Sequence, residues 1–323
     1  MTARVSVCLP AYNCAPYMAE AIESVLEQTY ADFQFIIIDD CSTDDTRSII
    51  RRYASRDGRI RSLENEQNAG MVQNWNRCLQ EARGEHVKFL FGDDRLASRD
   101  ALKAMVDVMD ADRSLSLVAS SRYVIDERSR VVKQLSRYGS RDIVMSGHEV
   151  IRDCLLEQRN LIGEPSVVLF RRSQAGRGFD PRYRQFVDLE MWFHLLEQGG
   201  FAYLQEPLCS FRVHDRQATT VNLDGNVQID EQILLLNEYA ARPYLRLSSL
   251  ERAYMRFIPA RNIWRLYRRH GKMTREAARE RIKTLFQGNM SAFYLFFPVH
   301  RLIRSYHGLA RRFMLLTRKR LYR

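Results

Sequence analysis

The chain has 323 residues, 46% of them hydrophobic, and a net charge of +11, which is an ordinary composition for a globular protein of one large domain with an extension or of two modest domains. The charge is uneven, because residues 1–240 contain 29 Lys and Arg against 36 Asp and Glu, whereas residues 241–323 contain 21 against 3. No apolar run reaches the ~18 residues of a membrane-spanning helix, so a transmembrane protein is excluded at this stage.

Strand and helix patterns alternate over the first 125 residues. Apolar or β-branched strands are predicted at VSVCLP, FQFIIIDD, HVKFLF and LSLVASSRYVI, with a weaker strand near residues 59–63. Apolar residues at helical spacing predict helices between these strands, including one over residues 72–82 and one after Ser98. This alternation indicates βαβ units, so we expect an α/β fold with a mostly parallel, Rossmann-like sheet and helices on both faces.

The pattern is less regular from residue 126 to residue 225. The segment SGHEVIRDCLLE has Ser146 and Glu149 at the spacing of a capping box. A strand is predicted at PSVVLFRR, a helix at FVDLEMWFHLLEQGG ending on Gly199 and Gly200, and two separate strands at FAYLQEP and LCSFRVH. We therefore expect one domain over residues 1–225, divided near residue 125, followed by a basic helical region over residues 226–323.

Two pairs of adjacent aspartates follow predicted strands. Asp39 and Asp40 end FQFIIIDD, and Asp93 and Asp94 come just after HVKFLF. Ligands of parallel sheets bind beyond the carboxyl ends of the strands. Because Mg²⁺ is usually held by one or two carboxylates together with substrate phosphates, Asp93 and Asp94 indicate either a metal–phosphate site or a solvated turn. No turn has the glycine pattern of a dinucleotide site or a P-loop.

Six sequence features follow one another over about residues 4–220: VSVCLPAYN, IIIDDCSTDDT, NAGMVQNWN, ARGEHVKFLFGDD, the region of Asp188, and LCSFRVH. In their order and spacing, they resemble the family-2, inverting, nucleotide-sugar glycosyltransferases with the GT-A fold. The resemblance implies that residues 1–125 bind a nucleotide sugar, with a UDP-sugar favoured, and that residues 126–225 provide the acceptor site and the base. The implied acceptor is a saccharide hydroxyl, on a lipid-linked acceptor in cell-surface polysaccharide synthesis.

The resemblance also implies a set of nucleotide-binding residues. They are Pro10, Tyr12, Asn13, Asp39, Asp40, Asn68 and Asp93. Tyr12 is expected to stack on the base, and the Asp40 carboxylate to accept from the ring N–H of uracil or thymine. The alternative is a packed tyrosine with turn aspartates.

A metal site for Mn²⁺ or Mg²⁺ is implied at Asp94, Asp93 and His214, with Asp94 preferred as the direct ligand. The alternative for His214 is an exposed histidine at a strand end. The chain departs from the family pattern at two positions, because Phe91 stands where many relatives have a first aspartate and Trp75 where many have an arginine. The second departure puts a phosphate contact in doubt.

The resemblance implies that Asp188 is the catalytic base and that Gly163 and Glu164 belong to the loop beside the acceptor. Asp188 directly precedes an apolar helical stripe, so a helix N-cap is the alternative role. An ordinary turn before a strand is the alternative for Gly163. The implied reaction is a single displacement in which Asp188 takes the proton of the acceptor hydroxyl.

The basic C-terminal region predicts a membrane-surface partner. Apolar residues at helical spacing among arginines, from Val299 to Leu316, are typical of an interfacial helix on an anionic leaflet. The alternatives are a helical subdomain packed on the core or a contact between copies of the chain, and nucleic acid is not expected. We expect a cytoplasmic protein, peripheral at the inner face of the cytoplasmic membrane. Two other functions stay open: a nucleotide-sugar-binding, membrane-associated protein without turnover, and a nucleotidyltransferase.

Overall fold

The computed structural model describes residues 3–139, 141–215, 217, 225–270, 273–286, 291, 293–296, 298 and 305–307. The strands of this part of the chain are β1 Val5–Ala11, β2 Phe33–Asp39, β3 Ile60–Glu64, β4 His86–Phe89, β5 Arg95–Leu96, β6 Leu115–Ile125, β7 Val131–Leu135, β8 Ile143–Ser146, β9 Val168–Arg171 and β10 Gly200–Arg212. The helices are α1 Ala15–Leu26, α2 Thr46–Ala54, α3 Met71–Glu81, α4 Ala101–Ala111, α5 Gly147–Glu157, α6 Val187–Leu196, α7 Gly225–Tyr239, α8 Ser249–His270 and α9 Arg275–Leu285.

The strands join into one sheet in the order β3-β2-β1-β4-β9-β6-β10-β5, with β7 beside β6 and β8 beside β10. The first four strands are parallel, and β10 is parallel to β6. β9 runs antiparallel between β4 and β6. The α/β class and the Rossmann-like first half are confirmed. The carboxyl ends of β1, β2 and β4 therefore share one edge of the sheet with the start of β9.

The central strands are covered on both faces. All seven residues of β1 are buried, as are the consecutive β-branched residues Ile36, Ile37 and Ile38 of β2. An unbroken apolar run of this kind is typical of a parallel strand between two helical layers. Asp39 ends β2, and Asp93 and Asp94 follow β4, so these carboxylates lie at one edge of the sheet.

The second half departs in detail from the sequence prediction. The predicted strands at FAYLQEP and LCSFRVH are one irregular strand, β10, whose pairing with β6 shifts on both sides of Pro207. Proline lacks the N–H that a regular ladder needs, which explains the irregularity. α6 ends at Leu196, before the predicted Gly199. The capping box of Ser146 and Glu149 is confirmed.

The first helix of the C-terminal region packs on the sheet. Leu235, Leu236 and Tyr239 of α7 belong to the same buried cluster as the strands. The buried Glu231 accepts hydrogen bonds from three successive backbone N–H groups, those of Arg184, Gln185 and Phe186, at 2.7, 2.8 and 3.1 Å. That segment leads directly into α6, so α7 fixes the start of α6.

The helical C-terminal extension is confirmed for α7, α8 and α9, and the last two form a second apolar cluster with residues 293 and 296. The predicted interfacial helix from Val299 to Leu316 lies outside the described residues, apart from residues 305–307. Of the helices in the described part of the chain, none combines the length and apolar character needed to cross a bilayer.

We predict that Glu231→Gln lowers the free energy of unfolding by about 1–3 kcal/mol, because the amide replaces an acceptor oxygen with an NH₂ group that faces a backbone donor. Urea denaturation of the full chain measures this. Glu127→Gln, at an exposed position, is the matched control and should change the free energy of unfolding by less than about 0.5 kcal/mol. Equal stabilities of the two variants would contradict the role given to Glu231.

Candidate active site

The predicted nucleotide-binding residues of β1 lie at its carboxyl end. Tyr12 directly follows β1 and is 51% exposed, so its ring is accessible to a ligand. Pro10 is buried in β1, in register with Ile38 of β2. Asn13 has a left-handed φ of 48°, and its Oδ1 accepts from Thr43 N at 2.8 Å. Asn13 therefore joins the turns that follow β1 and β2, beside the exposed Tyr12.

Asp40 organises the loop between β3 and α3. Its carboxylate accepts hydrogen bonds from Asn65 Nδ2 at 2.5 Å, Ala69 N at 2.8 Å and Gly70 N at 3.0 Å. The exposed Asn68 donates to the Asp40 carbonyl at 3.2 Å. A carboxylate has about four lone-pair positions, so these three donors leave one acceptor position of Asp40, on Oδ2, for a further donor.

Asp39 is buried beside Asp40 and differs from it in its hydrogen bonds. Its Oδ2 accepts from Ser42 N at 3.1 Å and from Arg47 Nε at 3.3 Å. Its Oδ1 is buried, and no donor among the described residues reaches it. A buried acceptor without a donor is costly. The two aspartates together therefore offer acceptor positions suited to the N–H groups of a base.

Asp93 and Asp94 lie in the turn between β4 and β5. Asp93 Oδ2 is 3.1 Å from His214 Nε2, so the predicted carboxylate and imidazole ligands are in contact. Asp94 is buried, and its Oδ1 accepts from Arg212 N at 3.0 Å, whereas Oδ2 has no hydrogen-bond partner in the described chain. Burial, and then the charge of Asp93, raise the pKa of Asp94 well above its usual range.

Asp93 and Asp94 offer carboxylate oxygens of the type that a divalent cation prefers, and His214 contacts Asp93. Carboxylate oxygens suit Mg²⁺ and Mn²⁺, and a cation near Asp94 Oδ2 would supply the counter-charge that this buried oxygen lacks. In the part of the chain that the structure describes, no three His, Cys, Asp or Glu side chains are arranged to hold a metal by themselves. Further ligands would have to come from a bound phosphate group and water.

Arg212, the last residue of β10, holds the aspartate turn and was not predicted from the sequence. Its buried guanidinium donates from Nε to the Asp93 carbonyl at 2.8 Å and from Nη1 to the Asp126 carbonyl at 2.9 Å. It also lies over the Tyr17 ring, 4.4 Å from the centroid. The sequence signal that could have identified Arg212 was its charge within the apolar strand pattern LCSFRVH.

The two positions that depart from the family pattern contact each other. Phe91 and Trp75 stack, with ring centroids 4.9 Å apart. Asn76, next to Trp75, donates from Nδ2 to the Phe179 carbonyl at 2.9 Å. An aromatic contact therefore stands where the resemblance implied an aspartate and an arginine, and this side of the edge is apolar.

The acceptor loop lies between α5 and β9. Gly163 has φ of 125°, and a Cβ atom there would lie 2.4 Å from Val167 Cγ2, so only glycine fits this turn. The Gly163 carbonyl accepts from Trp192 Nε1 at 2.9 Å, which ties the loop to α6. Glu164 accepts from the buried Arg122 at 2.8 Å. The loop is thus held from two sides.

Asp188 is the second residue of α6, and the N-cap position belongs to Phe186. The structure therefore does not give Asp188 the N-cap position that the sequence left open. Its Oδ2 accepts from Asn160 Nδ2 at 3.1 Å, and its Oδ1 from Leu189 N at 2.7 Å. Burial, and then the charge of Glu164, raise the pKa of Asp188 to about 7.

Asn160 connects Asp188 to the acceptor loop and was also missed by the sequence reasoning. Its Nδ2 donates to the Gly163 carbonyl at 3.1 Å as well as to Asp188. Its Oδ1 accepts from Gly163 N at 2.9 Å and Ile162 N at 3.0 Å. One amide side chain therefore fixes both the loop and the orientation of the carboxylate.

Lys88 joins the aspartate turn to the acceptor loop. It is wholly buried in β4 and donates to the Phe89 carbonyl at 2.9 Å and to the Ser166 carbonyl. Ser166 Oγ in turn accepts from Phe91 N at 3.1 Å. Burial lowers the pKa of Lys88 to about 8, opposed by nearby negative groups that include Asp94. The two predicted halves of the site thus share a frame of hydrogen bonds.

Comparisons with known proteins identify the family. The sequence profile of Glycosyl transferase family 2 matches residues 6–177, more than half of the chain. TuaG of Bacillus subtilis, a glycosyltransferase named for teichuronic acid biosynthesis, is 31% identical over 210 residues, which are 65% of this chain and 79% of TuaG. EpsE of the same organism, also named a glycosyltransferase, is 29% identical over 263 residues, covering 75% of this chain and 88% of EpsE.

Two solved structures share the fold. TarS 1–349 of S. aureus in complex with UDP-GlcNAc has a TM-score of 0.65 and 18% identity, over 97% of this chain and 90% of TarS 1–349. The mannosyltransferase PcManGT of Pyrobaculum calidifontis, in complex with GDP-Man and Mn²⁺, has a TM-score of 0.55 and 19% identity, over 98% of this chain and 88% of that one. The chain belongs to glycosyl transferase family 2 and has the GT-A fold.

Proposed function

We propose that this glycosyltransferase moves a sugar from a nucleotide-diphosphate donor to a saccharide hydroxyl with inversion, and that Asp188 is the base. The observation that carries the proposal is the Asp188 carboxylate, oriented by Asn160 beside the Gly163 loop with its pKa raised to about 7. A group with a pKa near neutrality is suited to accept a proton at neutral pH. An N-cap role would need neither feature.

The donor nucleotide would bind along the ends of β1 and β2. The accessible Tyr12 ring offers a stacking surface for the base. The remaining acceptor positions of Asp39 and Asp40 suit a base with a ring N–H, such as uracil, and are consistent with a UDP-sugar as donor. Similarity to the TarS structure with UDP-GlcNAc is consistent with this choice.

Mn²⁺ or Mg²⁺ would be held by Asp94, Asp93 and His214. The fit rests on the buried Asp94 Oδ2, which lacks a donor among the described residues, and on the contact between Asp93 and His214. When bound, such a cation stabilises the negative charge that develops on a departing diphosphate. PcManGT, which shares the fold, was solved with Mn²⁺.

At the acceptor, the chain's own residues orient one hydroxyl and receive its proton. Asp188 Oδ1 and Oδ2 each accept one hydrogen bond from the protein, so each keeps a lone pair for the hydroxyl proton. As the hydroxyl oxygen forms its bond to the anomeric carbon, the bond from that carbon to the diphosphate breaks. One displacement from the opposite side inverts the configuration.

The acceptor that best matches the basic C-terminal region is lipid-linked, at the inner face of the cytoplasmic membrane. The net charge of +18 over residues 241–323 supports contact with an anionic surface, where each basic group contributes up to ~1 kcal/mol. TuaG and EpsE are both named glycosyltransferases. The name of TuaG refers to teichuronic acid biosynthesis, which is consistent with a polysaccharide acceptor.

We predict that Asp188→Asn lowers kcat by ~10²–10⁴ and leaves donor affinity near the wild-type value, because the amide keeps the shape but does not take a proton at neutral pH. Calorimetry measures donor binding, and turnover is measured with the acceptor. Asp107→Asn, at an exposed position on α4, is the control for loss of one carboxylate. Normal turnover of Asp188→Asn would remove Asp188 from the mechanism, and donor binding without turnover by the wild-type chain would favour a binding protein.

The raised pKa of Asp188 predicts two pH effects. The wild-type kcat/KM should rise with pH and level off above about 7, because only the ionised carboxylate accepts the proton. In the folded state the carboxyl binds its proton more tightly than at the unfolded pKa of about 3.9, so the wild type should lose stability relative to Asp188→Asn as pH rises from about 4 to about 7. Urea denaturation of the wild type and of Asp188→Asn across this pH range tests the second effect without an acceptor. A difference between their urea midpoints that does not change with pH would contradict it.

We predict that UDP binds at least about tenfold more weakly in chelator than with Mn²⁺, because the diphosphate and the carboxylates share the cation. Asp94→Asn should bind UDP weakly under both conditions. Calorimetry measures both affinities, with Asp107→Asn as the control that keeps the wild-type metal response. Undiminished UDP affinity in chelator would overturn the metal assignment and leave that of Asp188 intact.

A further inference from the structure

A cavity of about 560 Å³ lies between the end of α5 and the C-terminal helices α7 and α8. Its walls come from the end of α5 and the residues that follow it, from Phe186 just before α6, and from α7 and α8. A volume of this size is within the range of sites for small ligands. The C-terminal region therefore supplies one side of a cleft whose other side belongs to the catalytic domain.

The cavity adjoins the proposed acceptor site. Asn160 lines it, and the same side chain donates to Asp188 Oδ2 and to the Gly163 carbonyl, both at 3.1 Å. Phe186, two residues before Asp188, lines it as well. A saccharide whose reacting hydroxyl lies at Asp188 would therefore have its neighbouring units next to this cavity.

The lining is mixed in polarity and carries a net positive charge. Three arginines, Arg159, Arg261 and Arg265, line the cavity together with one carboxylate, that of Glu157. Amide side chains supply most of the other polar groups, and Gln232 donates to Gln158 at 2.6 Å across the wall. Guanidinium groups pair with carboxylates and phosphates through two parallel N–H donors, and amides suit sugar hydroxyls.

The positive charge continues toward the acceptor loop. Burial lowers the pKa of Arg137, and the charges of Arg122 and Arg159 add to this effect while that of Glu164 opposes it. Arg122 pairs with Glu164 in the acceptor loop. No acidic residue follows Glu280 in the sequence.

We propose that this cavity is an acceptor subsite that binds an anionic segment of the glycan acceptor, with its carboxylate or phosphate groups paired to Arg159, Arg261 and Arg265. The inference rests on the proposed glycosyl transfer and names the acceptor class: a glycan with acidic units close to the hydroxyl that reacts. The donor site lies at the ends of β1, β2 and β4, so the subsite is separate from the residues that hold the nucleotide.

The test measures binding of defined probes to the full chain by calorimetry at low salt. The probes are a glucuronate-containing tetrasaccharide, a glycerol-phosphate tetramer and a neutral tetrasaccharide of glucose. Arg159→Gln/Arg265→Gln removes two charges from exposed positions of the cavity, and Arg56→Gln/Arg83→Gln removes two from exposed positions of the N-terminal half. UDP binding is measured on every variant.

We expect at least one anionic probe to bind the wild type more tightly than the neutral probe, and to lose about tenfold or more in affinity in Arg159→Gln/Arg265→Gln while UDP affinity is unchanged. The control pair should keep the wild-type affinity for that probe. A response to the glucuronate-containing probe would identify carboxylate as the ligand, and a response to the glycerol-phosphate probe would identify phosphate. Equal losses in both double variants, or no preference for anionic probes, would overturn the subsite, and the tests of Asp188 would be unaffected.

Discussion

Burial of carboxylates at one edge of the sheet is the constraint on which the site depends. Asp39, Asp40 and Asp94 are each at most 2% exposed, and an ionised carboxylate is costly there unless donors or cations surround it. Each of the three is compensated differently. Asp40 takes backbone and amide donors, Asp39 takes a backbone donor and an arginine, and Asp94 takes one backbone donor and keeps an oxygen without any among the described residues. A bound ligand would supply the missing partner of Asp39 Oδ1 and Asp94 Oδ2.

The residues that compensate these charges also connect the donor and acceptor halves. Lys88 in β4 donates to the Ser166 carbonyl just before β9, and Arg212 at the end of β10 donates to the Asp93 carbonyl. These contacts exist because β9 runs antiparallel beside β4, which brings its first residues to the carboxyl edge. A shift of the loop around Gly163 would therefore disturb the aspartate turn, and the sheet sets the relative position of the proposed donor and acceptor sites.

The sequence was sufficient to predict the strand ends and the groups they carry. The β-branched runs followed by paired aspartates are local sequence patterns. Tyr12 just after the first strand, and the apolar stripe of the helix that contains Asp188, are local signals of the same kind. Asn160, Arg212 and Glu231 were not predicted, because each acts on a partner far away in the sequence; Arg212 and Asp93, for example, are 119 positions apart. A single sequence contains no signal for such a pairing.

The stacking of Phe91 on Trp75 is another contact that the sequence does not predict. In the sequence, each residue only replaces a polar residue of the family pattern; the structure shows that the two rings pack on each other, with centroids 4.9 Å apart. An aromatic pair that is mostly desolvated stabilises the turn through contact area and ring geometry, without charge. The turn before Asp93 is therefore held by this packing in addition to the hydrogen bonds of Phe91 N with Ser166 and of Arg212 with the Asp93 carbonyl.

α7 shows how the C-terminal region can affect catalysis without contacting the donor. Gln228 and Gln232, four residues apart, share the helix face that lines the cavity, while Glu231 on the adjoining face accepts from the backbone just before α6. Since α6 carries Asp188, one rigid helix links the cavity wall to the position of the proposed base. The shape of the acceptor cleft and the placement of Asp188 are therefore coupled, whereas the residues at the ends of β1 and β2 are anchored separately through the sheet.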